Sequence, residues 1–182
     1  MTIETFNIEG LLLFSPKVFA DDRGYFFESF NQAGFEKAVG HTVDFCQDNE
    51  SYSHKNVLRG LHFQKPPYAQ GKLVRVTRGA VLDVAVDLRK DSKTYGQHVK
   101  VLVTAENKKQ FWVPAGFAHG FITLTDDTIF NYKCTNYYNQ ESEGGLNWND
   151  PTLNIDWENE GLPLLSAKDA VDIDFNQFIT PF

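Results

Sequence analysis

Short runs rich in Val, Leu, Phe and Thr recur along the chain with turn residues between them, most clearly at 72–77, 80–88, 99–104 and 128–134. This rhythm predicts short strands in quick succession. Helical patterning is confined to 31–39 and a stretch near 166–170, each too short to form a layer of its own. The core must then come from sheets packed on sheets, an all-β sandwich or barrel with a few short helices.

Alternation sorts the side chains by face. In the strand from Val81, Leu82, Val84, Val86 and Leu88 share one face, and Asp83, Ala85 and Asp87 the other. A regular pleat over 58–64 puts Leu58, Gly60, His62 and Gln64 together and Arg59 opposite, unless Gly60 marks a bulge that re-aims one side chain. Lys72, Val74 and Val76 share a face, as do Thr128, Phe130, Tyr132 and Cys134. His62, Lys72 and Tyr132 can therefore point into one cavity, although parity leaves open whether they do.

Bulk properties narrow the class. With 182 residues, 42% hydrophobic and 23% charged, the chain suits one globular domain spanning 1–182, with no linker, repeat or low-complexity segment. No apolar run reaches the ~20 residues of a membrane span, and the N-terminus lacks the pattern of a secretory signal. A soluble cytoplasmic protein without membrane partners is expected. A net charge of -7 argues against nucleic acid as a partner, while a few cations in a cleft can still bind one anionic ligand. Cys46 and Cys134 are too few and too far apart for a disulfide framework or zinc site; both are expected to be buried or semi-buried thiols.

The segment Val113-Pro-Ala-Gly-Phe-Ala-His119 resembles the second sequence motif of the cupin superfamily, a double-sheet jelly roll. Metal-binding cupins carry a first motif of two histidines and a glutamate. Here the corresponding stretch offers His62, with Lys72 downstream, and an ammonium repels a metal and has no lone pair to donate. A metal-free site with no cofactor is expected.

Eight segments in register resemble the dTDP-4-dehydrorhamnose 3,5-epimerases over nearly the whole chain. They begin at Asp22-Arg23-Gly24-Tyr25-Phe26-Phe27-Glu28, Gln47-Asp48-Asn49, Val57-Leu58-Arg59-Gly60-Leu61-His62-Phe63-Gln64 and Gln70-Gly71-Lys72. They continue through Asp83 to Arg89, Pro114 to Gly120, Tyr132-Lys133-Cys134-Thr135 and Trp148-Asn149-Asp150-Pro151. The resemblance implies a homodimeric cupin that inverts C3 and C5 of dTDP-4-dehydro-6-deoxy-D-glucose, giving dTDP-4-dehydro-L-rhamnose for polysaccharide biosynthesis.

Both carbons flank the C4 ketone, so each can be inverted by removing a proton to form an enolate and returning one to the opposite face. That chemistry needs a base, a donor at the developing oxyanion and an acid across the ring. By resemblance His62 is the base, Asp169 its dyad partner, Lys72 the group beside the C4 oxygen and Tyr132 the acid. Arg23, Glu28, Gln47, Asn49, Arg59, Lys72, His119, Glu143 and Lys168 resemble the family's substrate contacts, and Tyr138 its thymine-stacking aromatic. Arginine forks suit a diphosphate.

Taken singly, these residues have plainer readings. A strand histidine can be a satisfied structural residue and Tyr132 a core aromatic; an inward Lys72 without a role is costly. Asp83 and Asp87 are expected to be structural rather than pocket groups. Three rival functions stand beside the double epimerase: inversion of C3 or C5 alone, a metal cupin, and a noncatalytic nucleotide-sugar binder.

Overall fold

The structure, a computed structural model, describes residues 1–170 and 173–182. Its strands run β1 (Thr2–Thr5), β2 (Leu12–Ser15), β3 (Phe19–Asp21), β4 (Gly24–Phe26), β5 (Gln47–Ser53), β6 (Leu58–Gln64), β7 (Lys72–Arg78) and β8 (Ala80–Asp87). They continue as β9 (His98–Thr104), β10 (Gln110–Val113), β11 (Phe117–Thr123), β12 (Thr128–Cys134) and β13 (Glu143–Gly145). A six-stranded antiparallel sheet, β1-β2-β10-β7-β12-β5, faces a five-stranded one, β13-β6-β11-β8-β9. The strand rhythm predicts such a sandwich, and the resemblance of 113–119 to the cupin motif implies its double-sheet jelly-roll form.

Alternation explains the layers. Val74, Val76, Phe130 and Phe111 of the larger sheet meet Val81, Ala85, Val101 and Phe121 of the smaller one in the central core. On the outer side of the smaller sheet, Leu82, Val84, Val86 and Leu88 pack beneath Leu146, Leu153 and Trp157 of the C-terminal segment. A fully buried Val or Leu contributes about 1.5–3 kcal/mol, and because β8 is buried on both faces, a slip of one residue would exchange the two faces and drive Asp83 and Asp87 into the apolar layer beneath the C-terminal segment. The opposite parity carries Asp83 and Asp87 inward, where both are completely buried.

The helix α1 (Gln32–Val39) covers the outer face of the larger sheet, with Phe35 against Phe14, Leu73 and Trp112. Asn31 is its N-cap, its side chain accepting from the Gly34 N–H at 2.9 Å, and Gly40 ends it in the left-handed conformation. The second stretch expected to be helical, near 166–170, is a turn instead. Ser166 Oγ accepts from the Asp169 N–H at 3.3 Å, as an N-cap does, and donates to the Asp169 carboxylate at 2.7 Å, while the same carboxylate is held by the distant His62. The thiols also divide: Cys134 is buried, but Cys46 is exposed, contrary to expectation, because it sits just before β5 with the outward parity of Asp48 and Glu50.

Among the described residues, β3 and β4 pair only with each other. Their hairpin carries Phe19, Tyr25 and Phe26 largely exposed, Phe26 at 70%.

Candidate active site

Polar side chains interrupt the apolar packing between the sheets and line a cavity of about 310 Å³. The smaller sheet contributes Arg59 and His62 from β6, His119 and Phe121 from β11, and Glu143 from β13. Facing them from the larger sheet are Ser51 of β5, Lys72 of β7, and Phe130 and Tyr132 of β12; the turn supplies Ser166, Lys168 and Asp169. An adjoining chamber of about 330 Å³ shares His62, Lys72, Tyr132 and Glu143 and adds Gln47, Asn49, Gln64 and Tyr138.

Arg59 and His62 share the cavity because β6 carries one extra residue. His62 pairs with His119 and Arg59 with Phe121, so three steps on β6 match two on β11. Gly60 supplies the break, at φ +118 with its α-carbon against the β11 backbone; a Cβ there would lie 2.6 Å from the Gly120 Cα. The regular-pleat expectation is thereby corrected: Leu58 turns outward with Leu61 and Phe63, while Arg59, His62 and Gln64 face inward. Arg59 is fixed by bonds from its guanidinium to Ser53 Oγ at 3.1 and 3.2 Å and to the Tyr52 carbonyl.

His62 Nε2 meets Asp169 Oδ1 at 2.5 Å, and the second carboxylate oxygen takes a 2.7 Å bond from Ser166 Oγ. Burial raises the Asp169 pKa, but the bonds from His62 and Ser166 outweigh it and hold the carboxyl below its usual range. An ionised carboxylate only accepts, so the ring nitrogen it meets must donate. The other nitrogen of the neutral ring then keeps its lone pair.

Lys72 makes no hydrogen bond or ion pair among the described residues, and burial lowers its pKa. Burial raises that of Tyr132, which keeps its phenol protonated at neutral pH. Lys168 is paired with Glu143, whose other oxygen accepts from Tyr138 Oη at 3.1 Å. Burial alone would raise the Glu143 pKa; these partners bring it below normal.

Two site residues expected from the sequence lie elsewhere. Arg23 sits on the β3–β4 turn, its exposed guanidinium on Asp21 at 2.6 Å, and Glu28 borders a separate cleft beside Phe30 and Asn31. Sequence reasoning also undervalued three groups. Asp83, completely buried, has its Oδ1 on His119 Nε2 at 2.8 Å and so supports a cavity residue from behind. Gln64 bonds the Tyr68 and Tyr137 carbonyls and the Asn139 N–H, fixing the loop that bears Tyr138. Ser166 steadies Asp169. Inward parity with His62 was available as a signal for Gln64; Ser166 gave none. Asp87 is structural as expected, its carboxylate gripped by Arg89, Ser92 and Thr94.

Among the described residues, no group of three or more His, Cys, Asp and Glu side chains is arranged to hold a metal ion. No helix there is long and apolar enough to cross a membrane.

The family described as dTDP-4-dehydrorhamnose 3,5-epimerase matches residues 5–177. A protein of that description from Salmonella typhimurium is 58% identical over 163 residues, covering 90% of this chain and 89% of its own. One from Escherichia coli is 55% identical, covering 93% and 91%. A crystal structure of a dTDP-6-deoxy-D-glucose-3,5-epimerase from Legionella pneumophila, in complex with dTDP-4-keto-L-rhamnose, is 48% identical. It superposes with a TM-score of 0.94 over 98% of this chain and 94% of that one.

Proposed function

Because this chain belongs to the dTDP-4-dehydrorhamnose 3,5-epimerase family, we propose that it inverts C3 and C5 of dTDP-4-dehydro-6-deoxy-D-glucose to give dTDP-4-dehydro-L-rhamnose. The observation that carries the assignment of roles is the placement of His62 and Tyr132 on opposite sheets of one cavity, with Lys72 on the strand next to that of Tyr132.

His62 takes the proton from the carbon beside the ketone. The C–H electron pair becomes the enolate π bond and the carbonyl pair moves to the C4 oxygen. Lys72, unpaired with any described protein group, donates to that oxygen as charge develops. Tyr132 returns a proton to the carbon from the far side, inverting it, and exchange with water restores both groups. The same cycle at the second carbon completes the reaction. Asp169 keeps the base in its working tautomer and stabilises the imidazolium. No redox step arises, so no cofactor is required.

Arg59, His119, Gln47, Asn49, Glu143 and Lys168 bind the nucleotide-sugar, and Tyr138, exposed and anchored through Glu143, stacks on the base. Arg23 and Glu28 act across a dimer: a second copy covers the exposed aromatic hairpin and receives Arg23 at its own cavity. The enzyme works in the cytoplasm as a homodimer.

Incubation with the 4-keto sugar nucleotide in deuterated water tests the assignment. Deuterium at both C3 and C5 is expected, and His62→Ala should abolish it. Label at one carbon alone would make the protein a single-centre epimerase, and no label at either would end the enzymatic reading.

A further inference from the structure

His119 is the direct cross-strand neighbour of His62, and its ring is held on two sides. Asp83, from β8, meets Nε2 at 2.8 Å, and the buried Phe130 ring stacks on the imidazole with centroids 6.3 Å apart and planes 27° from parallel. Nδ1 makes no hydrogen bond among the described residues, yet His119 lines the cavity. Asp83 itself is fully buried, and its second oxygen is without a partner. The carboxylate's whole hydrogen-bonding effect within the described protein therefore falls on His119.

We propose that Asp83 is a positioning residue: it fixes the His119 proton on Nε2, so that Nδ1 faces the cavity as an acceptor for a hydroxyl of the substrate's sugar ring. The assignment of a sugar ligand rests on the function proposed above.

Lys72 and Arg59 line the same cavity; burial raises the Asp83 pKa, while the neighbouring His119 and Lys72 act the other way and favour its carboxylate form. A neutral imidazole whose one nitrogen donates to a carboxylate has only an acceptor left at the other. Lys72 and Arg59 are donors, so His119 gives this part of the cavity a way to bind a hydroxyl's hydrogen. A ring hydroxyl clamped there would hold the sugar's rotation about its long axis, and that rotation decides which carbon lies before His62.

Two measurements test this. Long-range ¹H–¹⁵N spectra of the protein without ligand should show His119 protonated at Nε2 and bare at Nδ1; an Nδ1–H tautomer or an imidazolium at neutral pH would overturn the proposal. That result is independent of the reaction, so it stands or falls separately from the epimerase assignment. Asp83→Asn and Asp83→Leu should lower kcat/KM by roughly 10- to 100-fold, with the deuterium ratio between C3 and C5 shifted from that of the unaltered enzyme. Asp83→Leu should also melt lower, since it leaves the buried His119 Nε2–H without its acceptor, so the kinetic comparison is made on protein shown to be folded by circular dichroism. Unchanged kcat/KM and ratio in a folded Asp83→Leu protein would refute the positioning role.

Discussion

His62 and His119 lie opposite each other on neighbouring antiparallel strands, and each imidazole is held by a carboxylate from another part of the fold, Asp169 at 2.5 Å and Asp83 at 2.8 Å. The two dyads differ in access. His62 is about a quarter exposed, while His119 is 7% exposed. That difference fits the roles proposed for them, proton exchange at His62 and a fixed acceptor at His119.

Asp169→Asn should leave the fold intact and cut kcat by roughly 10²- to 10⁴-fold, because an amide can stabilise the wrong tautomer of His62 and cannot stabilise its cation. Exchange at C3 and C5 should fall together, since one base serves both. Steady-state kinetics alongside circular dichroism checks this; a loss confined to one carbon would mean two bases.

Tyr132→Phe separates proton removal from inversion. With the far-side acid gone, His62 can still remove a proton and return deuterium to the same face. Deuterium should then enter with retained configuration while epimer formation falls at least 10²-fold. NMR of the recovered sugar nucleotide distinguishes label with retention from loss of both.

Lys72→Met should lower kcat by roughly 10²- to 10³-fold through the missing oxyanion donor. Burial holds the Lys72 pKa below the ordinary lysine value. Activity should therefore decline with rising pH at a point lower than a free lysine would give. Lys72→Arg, with a group that stays charged, should lose that alkaline limb whatever its absolute rate.

Much of this was legible in advance. The alternation of β8 separated Leu82, Val84, Val86 and Leu88 from Asp83 and Asp87, and parity allowed Lys72 and Tyr132 to share a cavity, as the structure has them, without deciding it. What sequence could not resolve depended on partners far along the chain. Whether Arg59 joined His62 hinged on how Gly60 meets β11, and the pairing of Asp83 with His119 spans two strands. Periodicity near Ser166 suggested a helix because it records propensity, whereas the bond from Asp169 to a distant His62 is a tertiary contact that periodicity does not register.

Gly60→Ala should damage the fold more than a typical surface change. The new methyl would meet Gly120 Cα at 2.6 Å and the His119 carbonyl at 2.7 Å, from a positive φ that L residues resist. A loss of more than about 1–3 kcal/mol is expected, seen as a lower melting temperature. Full stability in this variant would mean that β6 has another way to carry its extra residue.

Acid stability should have a component from Asp87. Burial raises its pKa, but Arg89, Ser92 and Thr94 outweigh this and lower it from 3.8 to about 2. A depressed carboxyl stabilises the fold above its unfolded pKa, and that contribution fades as pH falls from about 4 through about 2. It amounts to about 2 kcal/mol. Asp87→Asn should unfold more easily at pH 7 and show a flatter acid limb in denaturant titrations.

The dyad that holds His62 joins residues 107 positions apart. A ribosome emits the chain from its N-terminus, so both sheets leave it before the carboxylate that orients the imidazole. Until the turn at Asp169 docks, a nascent chain holds the histidine but not a working base. Catalytic competence is then acquired late in synthesis, with the same segment that brings Phe175, Phe178 and Phe182 onto the outer core, and chains interrupted before Ser166 should not turn over substrate.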